Sequence, residues 1–157
     1  MRIKVLAIVF TTCVLSVAAA QTIKVDHLTQ SQLIEKAQEL NAKAHGPDGA
    51  ASSKLNEYPN HFTVISLRHK DGGAEIHENF ADFLFVVQGS ATILTGGTVE
   101  GAETVSPGEI RGTTVLNGTR TTLNQGDIVH IPATVSHQLL VSQGGTFICF
   151  VIKVKEK

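Results

Sequence analysis

From about residue 55 to its end, the chain is a succession of short runs rich in Val, Ile, Thr and Phe, each set off by glycine. His61 to Arg68, Ala74 to His77, Asp82 to Val87, Ala91 to Thr95, Thr119 to Leu123, Gly126 to Ile131, His137 to Val141 and Thr146 to Val154 all read as β-strands. Gly72-Gly73, Gly89, Gly96-Gly97, Gly126 and Gly144-Gly145 punctuate them. Many short strands joined by glycine turns predict an all-β sandwich or barrel, with one face of each strand turned to a shared core. Thr98 to Gly118 is less regular and reads as an excursion from that barrel. Hydrophobic residues make up 42% of the 157 residues, which supplies one core and not two. Residues 55–157 are therefore expected to form a single barrel domain.

The residues ahead of the barrel are of two other kinds. Met1-Arg2-Ile3-Lys4 places two positive charges before Val5 to Val17, which is almost wholly apolar, and Ala18-Ala19-Ala20 follows with small residues. This is the pattern of a secretory signal peptide over residues 1–20. It predicts cleavage before Gln21 and an exported, periplasmic or secreted bacterial protein. Residues 21–54 hold one helix: Thr29 and Gln32 fit a capping box, with Leu28 and Leu33 placed as a hydrophobic staple. Leu33, Ile34, Ala37 and Leu40 then recur at helical spacing until His45-Gly46-Pro47-Asp48-Gly49 stops the run. The helix is expected to pack on the outside of the barrel.

Charge and cysteine content exclude several functions. Without Arg2 and Lys4, 11 basic residues face 14 acidic ones, a net of about −3, so no basic footprint points to nucleic acid. No apolar run reaches the roughly 18 residues of a membrane span, so no membrane association is expected after cleavage. Of the two cysteines, Cys13 lies in the signal, which leaves Cys149 without an intramolecular disulfide partner. Its neighbours Phe147, Ile148, Phe150 and Val151 predict a buried, inert thiol.

Two segments carry polar residues that a barrel core does not need. The first runs from Gly72 to Gly89 and contains Glu75-x-His77, four residues, Asp82, six residues and Gly89. The second is Gly126, five residues, Pro132-Ala133-Thr134-Val135-Ser136-His137. Together they resemble the two motifs of the cupin superfamily over roughly residues 60–154. Thr134 stands where that family usually has glycine, and no asparagine follows His137. Glu75 takes the place of the first motif histidine, His77 the second, and Asp82 the glutamate. A second register would set His77 first and Asn79 second, with too short a gap to Asp82. The resemblance implies a double-stranded β-helix, a jelly-roll barrel with a site inside it. It also implies a family that often pairs into homodimers.

The residue chemistry agrees with a site. Glu75 and His77 are two apart on a strand and share a face, while Ile76 between them is apolar. In the cupin register His137 and Asp82 join them. Histidine and carboxylate ligands suit one divalent transition metal: Fe, Mn, Ni, Zn or Cu. His77, Asp82 and His137 form a two-histidine, one-carboxylate set of the kind found in non-haem Fe(II) oxygenases. Glu75 is then a fourth ligand or a catalytic base beside the ion. Two carboxylates facing one pocket without a cation repel, and one pKa is expected to rise. His130, next to the second motif, faces either the pocket or solvent, and Phe80, Phe83 and Phe85 either line an apolar pocket or, as is expected first, fill the core.

Two functions remain open at this level. One is a metal-dependent enzyme acting on a small molecule, such as a dioxygenase. The other is a non-catalytic barrel that binds a sugar or organic acid without metal.

Overall fold

The computed structural model describes residues 25–142 and 144–156, so the expected signal peptide lies outside the described residues. The helix forms as its sequence dictates. Helix α1 (Gln30–Gln38) begins at Thr29, whose side chain accepts from the Gln32 N–H while the Gln32 side chain accepts from the Thr29 N–H. A separate turn of helix, α2 (Asn41–Ala44), completes the segment.

Thirteen strands follow among the described residues: β1 (Ala50–Glu57), β2 (His61–Arg68), β3 (Ala74–His77), β4 (Phe80–Gln88), β5 (Ser90–Thr95), β6 (Thr98–Glu100) and β7 (Glu103–Ser106), then β8 (Glu109–Gly112), β9 (Thr114–Leu116), β10 (Thr119–Asn124), β11 (Ile128–Ile131), β12 (His137–Leu140) and β13 (Phe147–Lys155). They form a five-stranded sheet, β1-β2-β13-β4-β11, and a six-stranded sheet, β10-β5-β12-β3-β8-β7. A small pair, β6-β9, stands apart. The architecture is the all-β double-stranded β-helix with its helix outside, as expected.

Alternation along the strands builds three apolar clusters among the described residues, not the single core expected, and two of them are large. Leu84, Val86, Ile93, Phe147, Cys149 and Val151 turn inward and fill the barrel. The opposite faces of the same sheet carry Ile65, Leu67, Val87 and Ile148, which pack on Ala37 and Ala44 of the helices, with Leu33, Ile34 and Leu40 alongside. Each large side chain buried there contributes roughly 1.5–3 kcal/mol. Phe83 and Phe85 are only half-buried and sit against His130 and Phe150 respectively, so the aliphatic residues between them, not these rings, make the core.

Two stretches differ from the sequence expectation. Strand β1 starts at Ala50, five residues before the expected barrel start, because pairing with β2 holds an edge strand that has little β-forming sequence of its own. Thr98–Gly118 is not a plain excursion, since its β8 adds to the barrel sheet beside β3. The two motif glycines are turn residues. Gly89 has a φ of 84°, and a Cβ there would run into the Thr146 carbonyl; Gly126 has a φ of 91°.

Candidate functional site

Strand register assembles the site out of cross-strand neighbours. On β3, Glu75 lies opposite Arg111 of β8 and His77 lies opposite Glu109. On its other side Glu75 lies opposite His137 of β12. In the facing sheet, Asp82 of β4 lies opposite Lys153 of β13. These residues, Asp82 excepted, line a cavity of about 420 Å³ inside the barrel, walled between its polar ends by Val64, Leu84, Leu139 and Val151.

Hydrogen bonds fix both histidine rings. His77 Nδ1 donates to Glu109 Oε2 at 2.8 Å, and His137 Nδ1 donates to the Val135 carbonyl at 3.1 Å. A carboxylate and a carbonyl only accept, so each neutral ring carries its proton on Nδ1 and turns an Nε2 lone pair inward. The Nε2 of His77 is buried and has no hydrogen-bond partner. Glu75 Oε2 approaches it at 3.3 Å and Asp82 Oδ2 at 3.5 Å, as charge contacts without hydrogen-bond geometry. His137 Nε2 lies 3.9 Å from the same Asp82 oxygen. A lone pair facing two carboxylates is unfavourable unless a positive charge stands between them.

Three of these residues offer a ligand set. One ligand atom each from Glu75, His77 and His137 lies within 4.8 Å of the other two. Bonds of about 2.0–2.2 Å to one ion would set such atoms roughly 3–3.5 Å apart, so small side-chain rotations close the set. The donor chemistry and the orphaned Nε2 both fit a divalent transition metal. Asp82 stands differently, because Lys153 Nζ donates to both of its oxygens at 2.7 Å. Asn79 follows β3 in the turn to β4 and is not among the cavity-lining residues. His130 is exposed and stacks on Phe83, away from the site.

The carboxyl of Glu75 does not show the expected rise. Burial pushes Glu75 up, while a hydrogen bond from a protonated His77 and the charges of Arg111 and His137 pull it down, the net direction being down; with both rings neutral, Arg111 is the cation that remains to oppose the burial. Arg111 Nη2 lies 2.8 Å from Glu109 and 3.8 Å from Glu75. The protein thus brings its own cations, Arg111 and Lys153, to the carboxylates. His137 is moved the other way. Burial holds its pKa below the usual histidine value, against the Val135 carbonyl and the charges of Glu75 and Asp82.

Glu109, Arg111 and Lys153 were not among the residues expected from sequence. Lys153 had a signal, a lone charge in the apolar run Phe147–Val154. Glu109 and Arg111 had a weaker one, two charges flanking Ile110 at strand spacing.

No protein-family model matches the chain, and no curated protein does. Solved structures do. A conserved protein with a double-stranded β-helix domain from Klebsiella pneumoniae subsp. pneumoniae MGH 78578 superposes with a TM-score of 0.51 at 19% identity, covering 68% of this chain and 76% of that one. The cupin domain of Schizosaccharomyces pombe Cnp3 gives 0.51 at 6% identity, over 69% and 62%. A recombinant oxalate oxidase in complex with glycolate gives 0.52 at 15% identity, over 73% and 55%. At these identities the likeness is one of fold.

Proposed function

Because the chain is a cupin by fold, we propose that Glu75, His77 and His137 hold one divalent transition-metal ion, and that the cavity beside them binds a small-molecule substrate on which the ion acts. The observation that carries this reading is the buried, unpartnered Nε2 of His77, aimed at two carboxylates. When bound, the ion would supply open positions that bind and polarise a substrate or dioxygen, as in dioxygenase-type metalloenzymes.

The chain's own residues have separate tasks in this reading. Glu109 and the Val135 carbonyl hold the Nδ1 protons and orient both rings, the usual role of groups behind metal-bound histidines. Arg111 fixes Glu109 in turn. One ligand atom of Glu75 lies within 4.8 Å of those of His77 and His137, which supports Glu75 as a ligand over Glu75 as a catalytic base.

Metal content and titration of the purified protein test the reading. We expect one divalent ion per chain, lost in His77→Ala and His137→Ala while the far-ultraviolet circular dichroism stays that of a β-barrel. Affinity should fall in acid as protons compete for the ligands. Burial holds the His137 pKa below the usual histidine value, so proton competition at that ligand should set in at a lower pH than at an ordinary histidine.

A second reading has its own support. Lys153 neutralises Asp82 and Arg111 stands beside Glu75 without any ion. If the wild type takes up no divalent ion at micromolar concentrations, the protein is a metal-free barrel that binds a small organic molecule.

A further inference from the structure

Arg68 is the last residue of β2 and stands on the same inward face as Phe62, Val64 and Ser66. It lines the cavity and is only half-exposed. The other two cations of the cavity are paired, Arg111 with Glu109 and Lys153 with Asp82. Among the described residues the Arg68 guanidinium has neither a hydrogen bond nor an ion pair. Its position is nonetheless prepared. It lies over Gly72, where a Cβ would come within 2.8 Å of Nη1 and 3.1 Å of Cζ, so the missing side chain makes its room.

We propose that the cavity binds a small organic acid, with the ligand's carboxylate held by Arg68. This rests on the barrel interior being the ligand site and names the class of molecule that enters it. A guanidinium offers a planar fork of N–H donors that matches the two oxygens of a carboxylate. Left half-buried and unpaired, those donors lose water without gaining a partner. Ser66 and Ser52, neighbours in the β1–β2 register, add hydroxyls to the same wall. Cys149 lies opposite Ser66 in the next strand, with Phe147 opposite Arg68 on one side and Val151 and Lys153 opposite Val64 and Phe62 on the other. It therefore stands between Arg68 and the Lys153–Asp82 pair. The walls beside it are the apolar Val64, Leu84 and Val151. A carboxylate at one end, a short carbon chain and a polar group at the other end match that order.

Charge points the same way. Arg68, Arg111 and Lys153 balance Glu75, Glu109 and Asp82, so the interior is neutral with neutral histidines. A divalent ion would leave it positive, and an anionic ligand restores the balance. A carboxylate fits better than a phosphate, because no second unpaired cation lines the cavity to share a phosphate's charge.

Calorimetric titration of the full protein, with and without bound Mn(II), tests this. The probes are linear mono- and dicarboxylates of two to six carbons, the matching uncharged amides, and inorganic phosphate. At least one acid should bind in the cavity, its amide at least tenfold more weakly. Arg68→Gln should weaken the acid at least tenfold while Mn(II) affinity stays within about twofold. Gly72→Ala, which displaces the guanidinium, should weaken it in the same direction. Equal binding of acid and amide, no effect of Arg68→Gln, binding of phosphate alone, or no acid bound at all overturns the proposal. Acid binding that depends on Arg68 in a protein that takes no Mn(II) would sustain this proposal and remove the metal reading. Mn(II) binding without any acid binding would do the reverse.

Discussion

Thr134 occupies a backbone conformation made for glycine. Its φ is +71°, in the left-handed region, and its N–H donates to the His77 carbonyl at 2.8 Å. The turn therefore ties the second motif to the strand that carries His77, and glycine, usual at this position of the cupin motif that the segment resembles, would satisfy it without strain. An L-residue in this region costs about 1–2 kcal/mol, because Cβ crowds the following carbonyl. The branched Cβ of threonine adds to that crowding. Thr134→Gly removes the cost but gives the unfolded chain roughly 0.5–1 kcal/mol more freedom to lose. The side chain is exposed and its hydroxyl makes no hydrogen bond among the described residues, so little else changes. We expect a net gain of about 0.5–1 kcal/mol, which for a domain of this size raises the melting temperature by about 2–4 °C. Thr134→Ala keeps Cβ and should move it by much less. Thermal unfolding followed by circular dichroism measures both. A glycine variant that melts at or below the wild type would refute the strain and with it the reading of the motif position.

Two further outcomes follow from the sequence and the packing. Burial in the barrel core pushes the Cys149 thiol up to about 12, so native protein should react with a thiol reagent far more slowly than denatured protein, and fast native labelling would contradict the burial. We also propose that residues 1–20 are an export signal. Intact-mass analysis of protein from the native host should find the N-terminus at Gln21, and a chain retained from Met1 in the cytoplasm would rule export out.

The strands that were legible in the sequence are those whose inward residues are large. The run Ala91 to Thr95 and the run Thr146 to Val154 both show it, because Ile93, Cys149 and Val151 bury apolar surface at every second position. Strand β1 was not legible, since Ala50-Ala51-Ser52-Ser53-Lys54 buries only Ala51 and is held by its partner, not by its own side chains. Capping chemistry is local, which is why the start of the helix at Thr29 could be read to the residue. The site divides along the same line. Glu75 and His77 share one strand, so their common face follows from spacing alone. Glu109 and Arg111 reach the site only through the register of β8 on β3, across more than thirty residues, and no local pattern encodes that pairing.

Lys153 separates the two readings of the cavity. Asp82 and Lys153 are 6% and 19% exposed at their side chains, and both Asp82 oxygens accept from Nζ at 2.7 Å. Lys153→Met keeps an unbranched side chain in place but leaves Asp82 buried without its cation. Breaking such a pair costs about 3–5 kcal/mol, because the carboxylate left behind has no water to turn to. It does have another neighbour. Its Oδ2 lies 3.5 Å from His77 Nε2 and 3.9 Å from His137 Nε2, the two nitrogens proposed as metal ligands. An ion held by those nitrogens would thus take Lys153's place as the charge beside Asp82. A ligand present at 100 times its Kd stabilises a fold by about 2.7 kcal/mol, and tighter binding to the variant adds to that. The metal-free variant should therefore melt well below the wild type, and a divalent ion should raise its melting temperature by more than it raises that of the wild type. Asp82→Asn/Lys153→Met, which has no carboxylate to leave unpaired, should lose both the penalty and the extra rescue. If the ion raises Lys153→Met and wild type by the same amount, Asp82 and the ion do not share a site. The lysine is then the permanent partner of Asp82, and an ion that raises neither protein is the outcome the metal-free barrel requires.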